Sequence, residues 1–468
     1  MIILILTLAL FLRLISLNQS LWLDEAINVL AARDFSFLGM ITEYARADFH
    51  PPGWFMILWI WGKLFGYSEI AVRLPSVIFG VVSIYVIYLI GRKIHSKTLG
   101  LLAAIFLAVN PLHIYYSQEA RMYALATLAV LINCFFFIKL FKKEKVNMIF
   151  LILANLLVLS SDYVAYFIFP AQFIFLLFLK KRELLKKWFI SLIAVLVLFS
   201  WWLPVFISQL DVGSVVSSRL PAWKLIVGAF DTKALPLTFV KFIIGRISYP
   251  DKLIYALGFL PVGMLFLFLL WRGLKFRLND RNLILSWIFV PITAAFLVSL
   301  AVPVYSYFRL LFVLPAFLLL FSLGILSLGP KVKAIFLIAV FLIELGSVSI
   351  YLFNPSYQRD DWRGAVDFLK SKDSLVLFES SGTLPPFDYY AKGEIDAKGA
   401  LADFPAKDIS DVVLENILQG RNETYLVEFL VDISDPQRLV QKKLMQLNFK
   451  EIEINNFNGV GFVYHYKR

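Results

Sequence analysis

The chain has 468 residues, of which 60% are hydrophobic and 17% are charged, and its mean hydropathy is +0.77. Soluble domains are close to half apolar and a quarter charged, so this composition excludes an ordinary soluble protein, a disordered chain and a nucleic-acid-binding protein. The net charge of +12 is unevenly distributed, because residues 1–354 carry +16 and residues 355–468 carry −4. The basic excess belongs to the apolar part, where it indicates membrane topology.

Apolar runs of membrane-spanning length recur along residues 1–354. A helix needs about 20 residues to cross the hydrocarbon core, and eleven runs approach or reach that length: 2–17, 70–91, 98–112, 122–140, 148–160, 164–179, 188–208, 253–271, 283–302, 308–328 and 333–352. The first run lacks a basic segment before it and a small-residue cleavage site after it, so we expect a retained helix. The sequence predicts a mainly α-helical polytopic membrane protein with about eleven transmembrane helices.

The loops between these runs alternate in charge. One set is rich in Lys and Arg and comprises residues 92–97, 139–145, 180–187, 272–281 and 331–333. The other set holds most of the acids. Since basic loops stay on the cytoplasmic side, we expect a cytoplasmic N-terminus, with the acidic loops and the C-terminal region outside. Cys134 is the single cysteine, and an outer region without paired cysteines favours a bacterial or archaeal plasma membrane.

Two regions outside these runs are predicted to have structure of their own. In the first outer loop we predict a short helix at about 24–33 and an interfacial helix over the aromatic run 53–65, because Trp side chains favour the headgroup level. Residues 355–468 contain helix-like and strand-like segments, with Asp360 as the expected N-cap of one helix and a second helix over 434–447. We therefore divide the chain into a membrane domain, 1–354, and a small soluble α/β domain, 355–468.

Acidic residues cluster in the first outer loop. Asp24 and Glu25 follow the first apolar run, and such a pair can supply a general base because burial and a like-charged neighbour raise one of the two pKa values. Alternatively, Asp24 caps a short helix and Glu25 occupies its first turn. Asp48 and His50 stand just before Pro51-Pro52. Glu25 and His50 suit a divalent-metal site, although the sequence requires no cofactor and the prolines alone can separate two elements.

A further polar cluster lies in the short outer turn at 110–123. Arg121 offers a planar fork suited to phosphate. Two alternatives are an arginine that reaches out to lipid phosphates and an ion pair with Glu119. Tyr116 and Tyr123 belong to the same turn, and with Glu119 they are candidate substrate contacts.

Five other polar or aromatic residues lie at the outer ends of apolar runs or beside them. Tyr305, Tyr307 and Arg309 open a later run, where Arg309 is a second candidate for phosphate binding and the tyrosines are candidate substrate contacts. Arg73 opens the second run and is a candidate for the same phosphate, with anchoring at the interface as the alternative. Arg13, near the outer end of the first run, is the fourth candidate.

Four segments, in order along the chain, carry a resemblance to a known family. They are SLWLDEA at 20–26, HPPGWFMILWIWGKLFGYSEIAVRLPSVIFG at 50–80, NPLHIYYSQEARMYAL at 110–125 and PVYSYFRLLFVLPAF at 303–317. This ordered set closely resembles glycosyltransferase family 39, which includes the dolichyl-phosphate-mannose protein mannosyltransferases and the bacterial lipid A aminoarabinose transferase. The tail that begins DDWRGAVDFLK resembles one present on many prokaryotic members.

The resemblance implies a GT-C fold and inverting transfer of a sugar from a polyprenyl-phosphate donor to a hydroxyl of a lipid, glycan or protein acceptor. The site would lie at the outer face of the membrane. Asp24 matches the family's catalytic aspartate and Glu25 its neighbour, while His50 and Arg121 match motif positions. With Asp48, His50 would then contact substrate.

Two other functions stay open on the sequence. A flippase or transporter of lipid-linked sugars would bind the same lipid, but it is expected to have internal repeats and ionisable residues along both halves of its pathway. Neither feature is visible in the sequence, since the acids crowd one side. A ligase or polymerase would use a pyrophosphate-linked glycan instead of a monophosphate.

Overall fold

The structure is a computed structural model, and it describes residues 1–219, 228, 230–278 and 281–468. The N-terminal part is almost entirely helical. Its longer helices are Ile2–Leu14, Leu23–Asp34, Gly53–Phe65, Glu69–Ile94, Lys97–Val109, Pro111–Ser117, Tyr123–Phe141, Met148–Ser161, Ile168–Leu179, Arg182–Phe199, Leu203–Arg219, Ala234–Ile244, Lys252–Lys275, Arg281–Val298, Leu314–Leu326 and Pro330–Phe353. Short helical turns join some of them: Phe37–Gly39, Met40–Tyr44, Ala45–Ala47, Val164–Phe167, Ser200–Trp202 and Leu311–Val313.

Each of the eleven predicted runs overlaps one of these helices. In the described part of the chain, six helices are long and apolar enough to cross a bilayer. A seventh crossing results if Lys97–Val109 and Pro111–Ser117, which meet at 63°, are counted as one bent span. The bend falls where Asn110 caps the second helix and Pro111 begins it. The apolar helices confirm a membrane protein, whereas the count of eleven spans stays a prediction.

Glycines let two of the membrane helices approach each other closely. A Cβ atom added to Gly324 would lie 1.9 Å from the carbonyl oxygen of Leu269, and one added to Gly273 would lie 2.2 Å from that of Leu320. The two helices therefore touch backbone to backbone. Such contacts are typical of membrane helices, because lipid supplies no hydrophobic drive and close van der Waals packing holds the helices together.

Both helices predicted in the first outer loop are present. The first is Leu23–Asp34, and the second, Gly53–Phe65, has the predicted bounds. The second begins after Pro52 and ends at Gly66, which adopts φ +83°, a conformation that favours glycine. One face of this helix is buried and carries Trp54, Phe55, Leu58 and Gly62, while Ile60, Leu64 and Phe65 are exposed.

The C-terminal part contains a five-stranded sheet flanked by helices, which confirms the predicted α/β class. The strands are β1 Leu375–Phe378, β2 Ala397–Gly399, β3 Glu423–Glu428, β4 Lys450–Phe457 and β5 Gly461–Lys467. Their order is β2-β1-β3-β5-β4. β1 pairs in parallel with β2 and β3, and β5 pairs antiparallel with β3 and β4. The helices are Trp362–Lys370, Pro385–Ala391, Leu414–Ile417, Val431–Ser434 and Leu439–Gln446.

Two predicted details of this part are wrong. The N-cap of the helix Trp362–Lys370 is Asp361 and not Asp360, since the Asp361 side chain accepts the Gly364 N–H at 3.0 Å. The helix predicted over 434–447 begins only at Leu439. The Asp435 carboxylate accepts the N–H groups of Leu439 and Val440 at 2.9 and 2.8 Å, so it caps a helix that starts four residues later.

The C-terminal part packs on the first outer loop. The Tyr390 hydroxyl accepts the backbone N–H of Leu21 at 2.8 Å, and the Tyr389 hydroxyl donates to the Tyr67 carbonyl at 2.7 Å. Arg363 forms an ion pair with Glu69. The sheet domain therefore lies on the same face of the helix bundle as the acidic first loop.

We expect Gly324→Val to destabilise the protein by about 1–3 kcal/mol, because the new side chain would overlap the backbone of the neighbouring helix. The matched control is Gly346→Val, since an added Cβ at Gly346 meets nothing within 4 Å. Thermal unfolding of the two variants in detergent measures the difference. Equal unfolding midpoints would show that the helix contact is not tight.

Candidate active site

Arg73 is buried near the N-terminal end of the helix Glu69–Ile94 and is fully paired. Its Nε and Nη2 atoms donate to the two carboxylate oxygens of Glu25 at 2.9 and 2.6 Å. Its other N–H groups reach three backbone carbonyls at 2.5–2.9 Å, those of Leu17, Gln19 and Ser20. A guanidinium has five N–H donors, so none is left for a phosphate. The structure does not support the prediction that Arg73 binds phosphate.

Glu25 is as fully occupied as its partner. Besides Arg73, its carboxylate accepts the backbone N–H groups of Ala120 at 2.7 Å and Trp22 at 3.4 Å. Burial by itself would raise the pKa of Glu25, but Arg73, together with Arg359 and the Ala120 N–H, lowers the pKa below its ordinary value. A carboxylate so paired is a weak base with no oxygen left for a metal. The structure therefore does not support the catalytic and metal-binding roles predicted for Glu25.

Asp24, one residue earlier, has a different environment. Its side chain is 38% exposed, and its Oδ2 atom lies 3.5 Å from Nη2 of Arg121. Within the residues described, no N–H or O–H group donates to it. Asp24 does not cap the helix Leu23–Asp34, because Trp22 occupies the N-cap position and Asp24 lies in the first turn. Its carboxylate is thus accessible, and in the described part of the chain its oxygens are not occupied by hydrogen-bond donors.

Arg121 is buried, yet its donors are largely unused. Its Nε atom has no partner in the described part of the chain. Burial by itself would lower the pKa of Arg121, but Asp24, Tyr123 and Asp48 raise it above the ordinary value, so the side chain stays cationic. Since buried N–H groups are normally hydrogen-bonded, a buried guanidinium with free donors is suited to an anion that arrives from outside.

Asp48 and His50 form a second polar pair beside Arg121. Nδ1 of His50 lies 2.5 Å from Oδ1 of Asp48. Burial by itself would raise the pKa of Asp48, but His50 and Arg121 lower it. Where the chain is described, no three His, Cys, Asp or Glu side chains are grouped to hold a metal ion. Because Glu25 and His50 each have another partner, the structure does not bring them together as a metal site.

A cavity of about 320 Å³ opens beside His50 and Arg309. Its walls are mainly apolar and aromatic, and they include Phe49, Tyr163, Tyr166, Phe167, Phe206, Val298 and Val302. Asp162 and Gln209 supply the other polar groups. An apolar cavity with a few polar groups at one side fits an amphiphilic ligand.

The segment that carries Arg309 packs against the turn that carries Arg121. The ring of Phe308 lies 5.9 Å from that of Tyr116 and 5.3 Å from that of Tyr123. Both arginines interact electrostatically with Tyr123. The Nε atom of Arg309 is buried and, within the described chain, has no partner. The structure therefore brings together the two arginines that the sequence singled out first.

Most of the tyrosines predicted to contact substrate are buried in the wall of the site. Tyr116, Tyr123 and Tyr305 are buried. The Tyr305 hydroxyl lies 2.9 Å from Oγ1 of Thr238, which ties the segment 303–309 to the helix Ala234–Ile244. Tyr307 is half-buried and is the member of this set that a ligand can reach most easily.

Arg13 lies inside the helix bundle, apart from these residues. It donates to the carbonyls of Ala9, Ala108 and Leu107 at 3.0–3.3 Å, and its Nη2 atom lies 2.7 Å from Nδ1 of His113. These contacts join the first helix to the bent pair of helices. The structure does not support the prediction that Arg13 binds phosphate.

Two arginines missed by the sequence analysis lie at the outer turn. Arg359, which follows the last membrane helix, forms a buried ion pair with Glu119 at 2.7 Å and stacks 3.9 Å from the ring centre of Tyr115. Arg246 lies over the same ring at 4.5 Å. No sequence pattern indicated that either arginine belongs to the site, because Arg359 is in the segment assigned to the soluble domain and Arg246 is in a long loop. Glu119 is thus an ion-pair partner in this structure.

Comparisons with known proteins bear on the family and on the fold. Residues 49–207 match the family of dolichyl-phosphate-mannose-protein mannosyltransferases. An uncharacterized protein of Aquifex aeolicus (strain VF5) is 26% identical over 299 residues, which make up 62% of this chain and 56% of that protein. The match thus spans little more than half the length of this relative.

Two solved structures resemble the chain over nearly its whole length. The crystal structure of ArnT from Cupriavidus metallidurans bound to undecaprenyl phosphate is 14% identical, with a TM-score of 0.57, over 99% of this chain and 97% of that chain. The Archaeoglobus fulgidus oligosaccharyltransferase in complex with Zn and sulfate is 14% identical, with a TM-score of 0.56, over 98% of this chain and 72% of that chain. At these identities the likeness establishes the fold alone.

The chain has the GT-C fold of membrane glycosyltransferases, as the sequence predicted. Within that fold, the match over residues 49–207 confirms the resemblance to the mannosyltransferase family.

We expect Glu25→Gln to destabilise the protein by about 3–5 kcal/mol, because it leaves the buried Arg73 without its counter-charge. The matched control is Asp24→Asn, which removes the same charge one residue away at a half-exposed position and should change stability by less than about 0.5 kcal/mol. Thermal or denaturant unfolding of the purified protein measures both. Similar losses in the two variants would contradict the structural role of Glu25.

Proposed function

We propose that the protein is a membrane glycosyltransferase that moves a sugar from a polyprenyl-phosphate donor to an acceptor hydroxyl. One observation carries the proposal: the accessible carboxylate of Asp24 stands 3.5 Å from the buried guanidinium of Arg121, whose Nε has no partner in the described chain. A proton acceptor and an anion-binding group thus lie side by side. This is what a hydroxyl attack that releases a phosphate requires.

The cavity beside His50 and Arg309 supports a lipid-linked donor. Its apolar walls suit a polyprenyl chain, and Arg309 in its lining suits the phosphate at the end of that chain. Arg121 does not line this cavity, but it interacts with Tyr123 as Arg309 does, so it is proposed to bind the same phosphate. Arg246 adds a third cation near Tyr307. The resemblance to an ArnT structure that contains undecaprenyl phosphate supports the same class of donor.

In the proposed reaction, Asp24 takes the proton of the acceptor hydroxyl while the oxygen attacks the anomeric carbon. The bond from this carbon to the phosphate oxygen breaks, and its electron pair leaves with the polyprenyl phosphate. Attack from the side opposite the phosphate inverts the configuration, through an oxocarbenium-like transition state. Negative charge on the phosphate grows as the bond breaks, so Arg121 and Arg309 stabilise the transition state more than the bound donor.

A phosphate leaving group needs no general acid, which agrees with the low pKa of Asp48 and its pairing with His50. His50 lines the cavity and is placed to contact the donor. The acceptor, a lipid, a glycan or a protein, would approach from the exposed side of Asp24. We place this site and the sheet domain on the outer face of a plasma membrane, with the N-terminus in the cytoplasm, because the loops of the opposite face carry the basic residues.

Asp24→Asn should lower sugar transfer by about 10²–10⁴-fold, since the variant cannot accept the proton. The control is Asp34→Asn, an exposed aspartate at the other end of the same helix that is paired with Arg33. The assay incubates the protein in membranes with two panels of donors, polyprenyl-phosphate sugars and polyprenyl-pyrophosphate sugars, and measures the released lipid phosphate or pyrophosphate. Full turnover by Asp24→Asn would remove the base assignment, and turnover only with pyrophosphate-linked sugars would identify a ligase or polymerase.

Arg359 should act as a positioning residue, because it holds Glu119 two residues from Arg121. Arg359→Gln leaves a buried carboxylate unpaired, and we expect turnover to fall about tenfold or more at an unchanged KM for the donor. Since the two residues act as a unit, Glu119→Gln combined with Arg359→Gln should cost less than the sum of the single changes. Arg363→Gln, which breaks an ion pair at the surface, is the control. Additive losses in the double variant would contradict this role.

A further inference from the structure

A second cavity, of about 760 Å³, lies among the basic loops on the face of the bundle opposite the candidate active site. It is formed by the turn after Tyr123–Phe141, the turn after Ile168–Leu179, and the first residues of the helices Met148–Ser161 and Arg182–Phe199. These two helices link the two faces. They end beside Asp162 and Trp202, next to the first cavity. A helix of this length separates the two cavities by about 20 Å.

The charge of the second cavity is strongly positive. Five cationic side chains line it: Lys143, Lys180, Lys181, Arg182 and Lys187. None of the five forms an ion pair with any residue that the structure describes. The lining acids are Glu144 and Glu183, and both oxygens of Glu144 are already held by Lys93 at 2.6 Å. The cavity therefore presents an excess of free cations to any ligand.

The inner wall of the cavity is apolar, with Leu140, Val146, Met148, Leu184 and Ile190. Exposed apolar side chains continue from it along the two helices, namely Ile149, Phe150, Leu153, Ile193, Leu196 and Val197. A cationic rim next to an apolar track requires a ligand with a negative head and a hydrocarbon tail. A free phosphate or nucleotide would use the rim and leave the track uncovered.

We infer that this cavity binds the headgroup of an anionic phospholipid, with the acyl chains lying along the helices Met148–Ser161 and Arg182–Phe199. The phosphate meets Lys and Arg at the depth where the headgroups of a bilayer lie. The N-termini of both helices lie at this cavity, and the positive ends of their dipoles add to the attraction for a phosphate. The inference does not depend on the proposed transferase activity, since the residues belong to the opposite face.

The test uses the purified full-length protein and native mass spectrometry, with phosphatidylglycerol and phosphatidylcholine of identical acyl chains as probes. We expect about tenfold stronger retention of phosphatidylglycerol. Lys181→Gln with Lys187→Gln should weaken it by about tenfold or more, because each lysine near a lipid phosphate contributes about fivefold. The matched control is Lys331→Gln with Lys333→Gln, which removes two charges in another basic loop and should leave retention unchanged.

Equal retention of the two lipids would overturn the inference. Equal losses of lipid retention in the two double variants would also overturn it, since they would show that only the net charge of the protein matters. Millimolar glycerol 3-phosphate is the third probe. Displacement of the lipid by it would identify a site for a free anion and would also overturn the inference. If the Lys181/Lys187 variant does not fold, two other measurements test the inference: lipid retention by Arg182→Gln, and the salt dependence of lipid retention by the natural protein. Salt must weaken retention at an electrostatic headgroup site, because it screens the charges.

Discussion

The buried ion pair between Glu25 and Arg73 is the interaction on which the rest of the site depends. It joins four separate stretches of chain: the end of the first helix, the start of Leu23–Asp34, the turn at Ala120 and a long membrane helix. Removal of one partner from such a pair is costly because a charge is left in a dry interior. The pair therefore holds Asp24 and Arg121 in one place while neither of its own members is free for chemistry.

The division between paired and unpaired arginines separates structural roles from functional ones. Arg73 and Arg13 donate to carbonyls and fixed partners, which is how a membrane interior accommodates a guanidinium. Arg13 keeps a buried Nε without a partner in the described chain, as Arg121 and Arg309 do, but its Nη atoms are held by three carbonyls and His113 inside the bundle. Arg121 instead lies beside the accessible Asp24, and the half-buried Arg309 lines the first cavity. The four arginines therefore differ in their fixed partners and in whether a ligand can reach them.

The C-terminal part takes part in the architecture of the site. Arg359 reaches under the outer turn to Glu119, and Tyr390 holds the backbone at Leu21, three residues before Asp24. Both segments that carry the proposed chemistry are thus held from the membrane side by Arg73 and from the sheet side by Arg359 and Tyr390. A loop held from two sides keeps its reactive groups in register, which is the condition for electrostatic stabilisation of a transition state.

Much of this protein was determined by its sequence alone. Long apolar runs specify membrane helices because each helix satisfies its own backbone hydrogen bonds in lipid. The bounds of Gly53–Phe65, the α/β class of the tail and the resemblance to the mannosyltransferase family followed from local pattern in the same way. The pairing of Asp24 with Arg121 and of Arg309 with the same turn was anticipated as convergence of distant motifs, without any means to calculate it.

Only the tertiary structure decided which of the ionisable residues were already engaged. Asp24 and Glu25 are neighbouring carboxylates. The Asp24 carboxylate is accessible, whereas the Glu25 carboxylate has all its hydrogen-bonding positions filled, because a helix turns its successive side chains about 100° apart. The sequence ranked Arg121 ahead of Arg73 for phosphate binding, but it did not show that all five donors of Arg73 are used by partners far away in the chain. No sequence pattern pointed to Arg359, since its partner Glu119 is 240 residues away in the chain. Hydrogen-bond saturation is a property of three-dimensional neighbours, and no local pattern of residues encodes it.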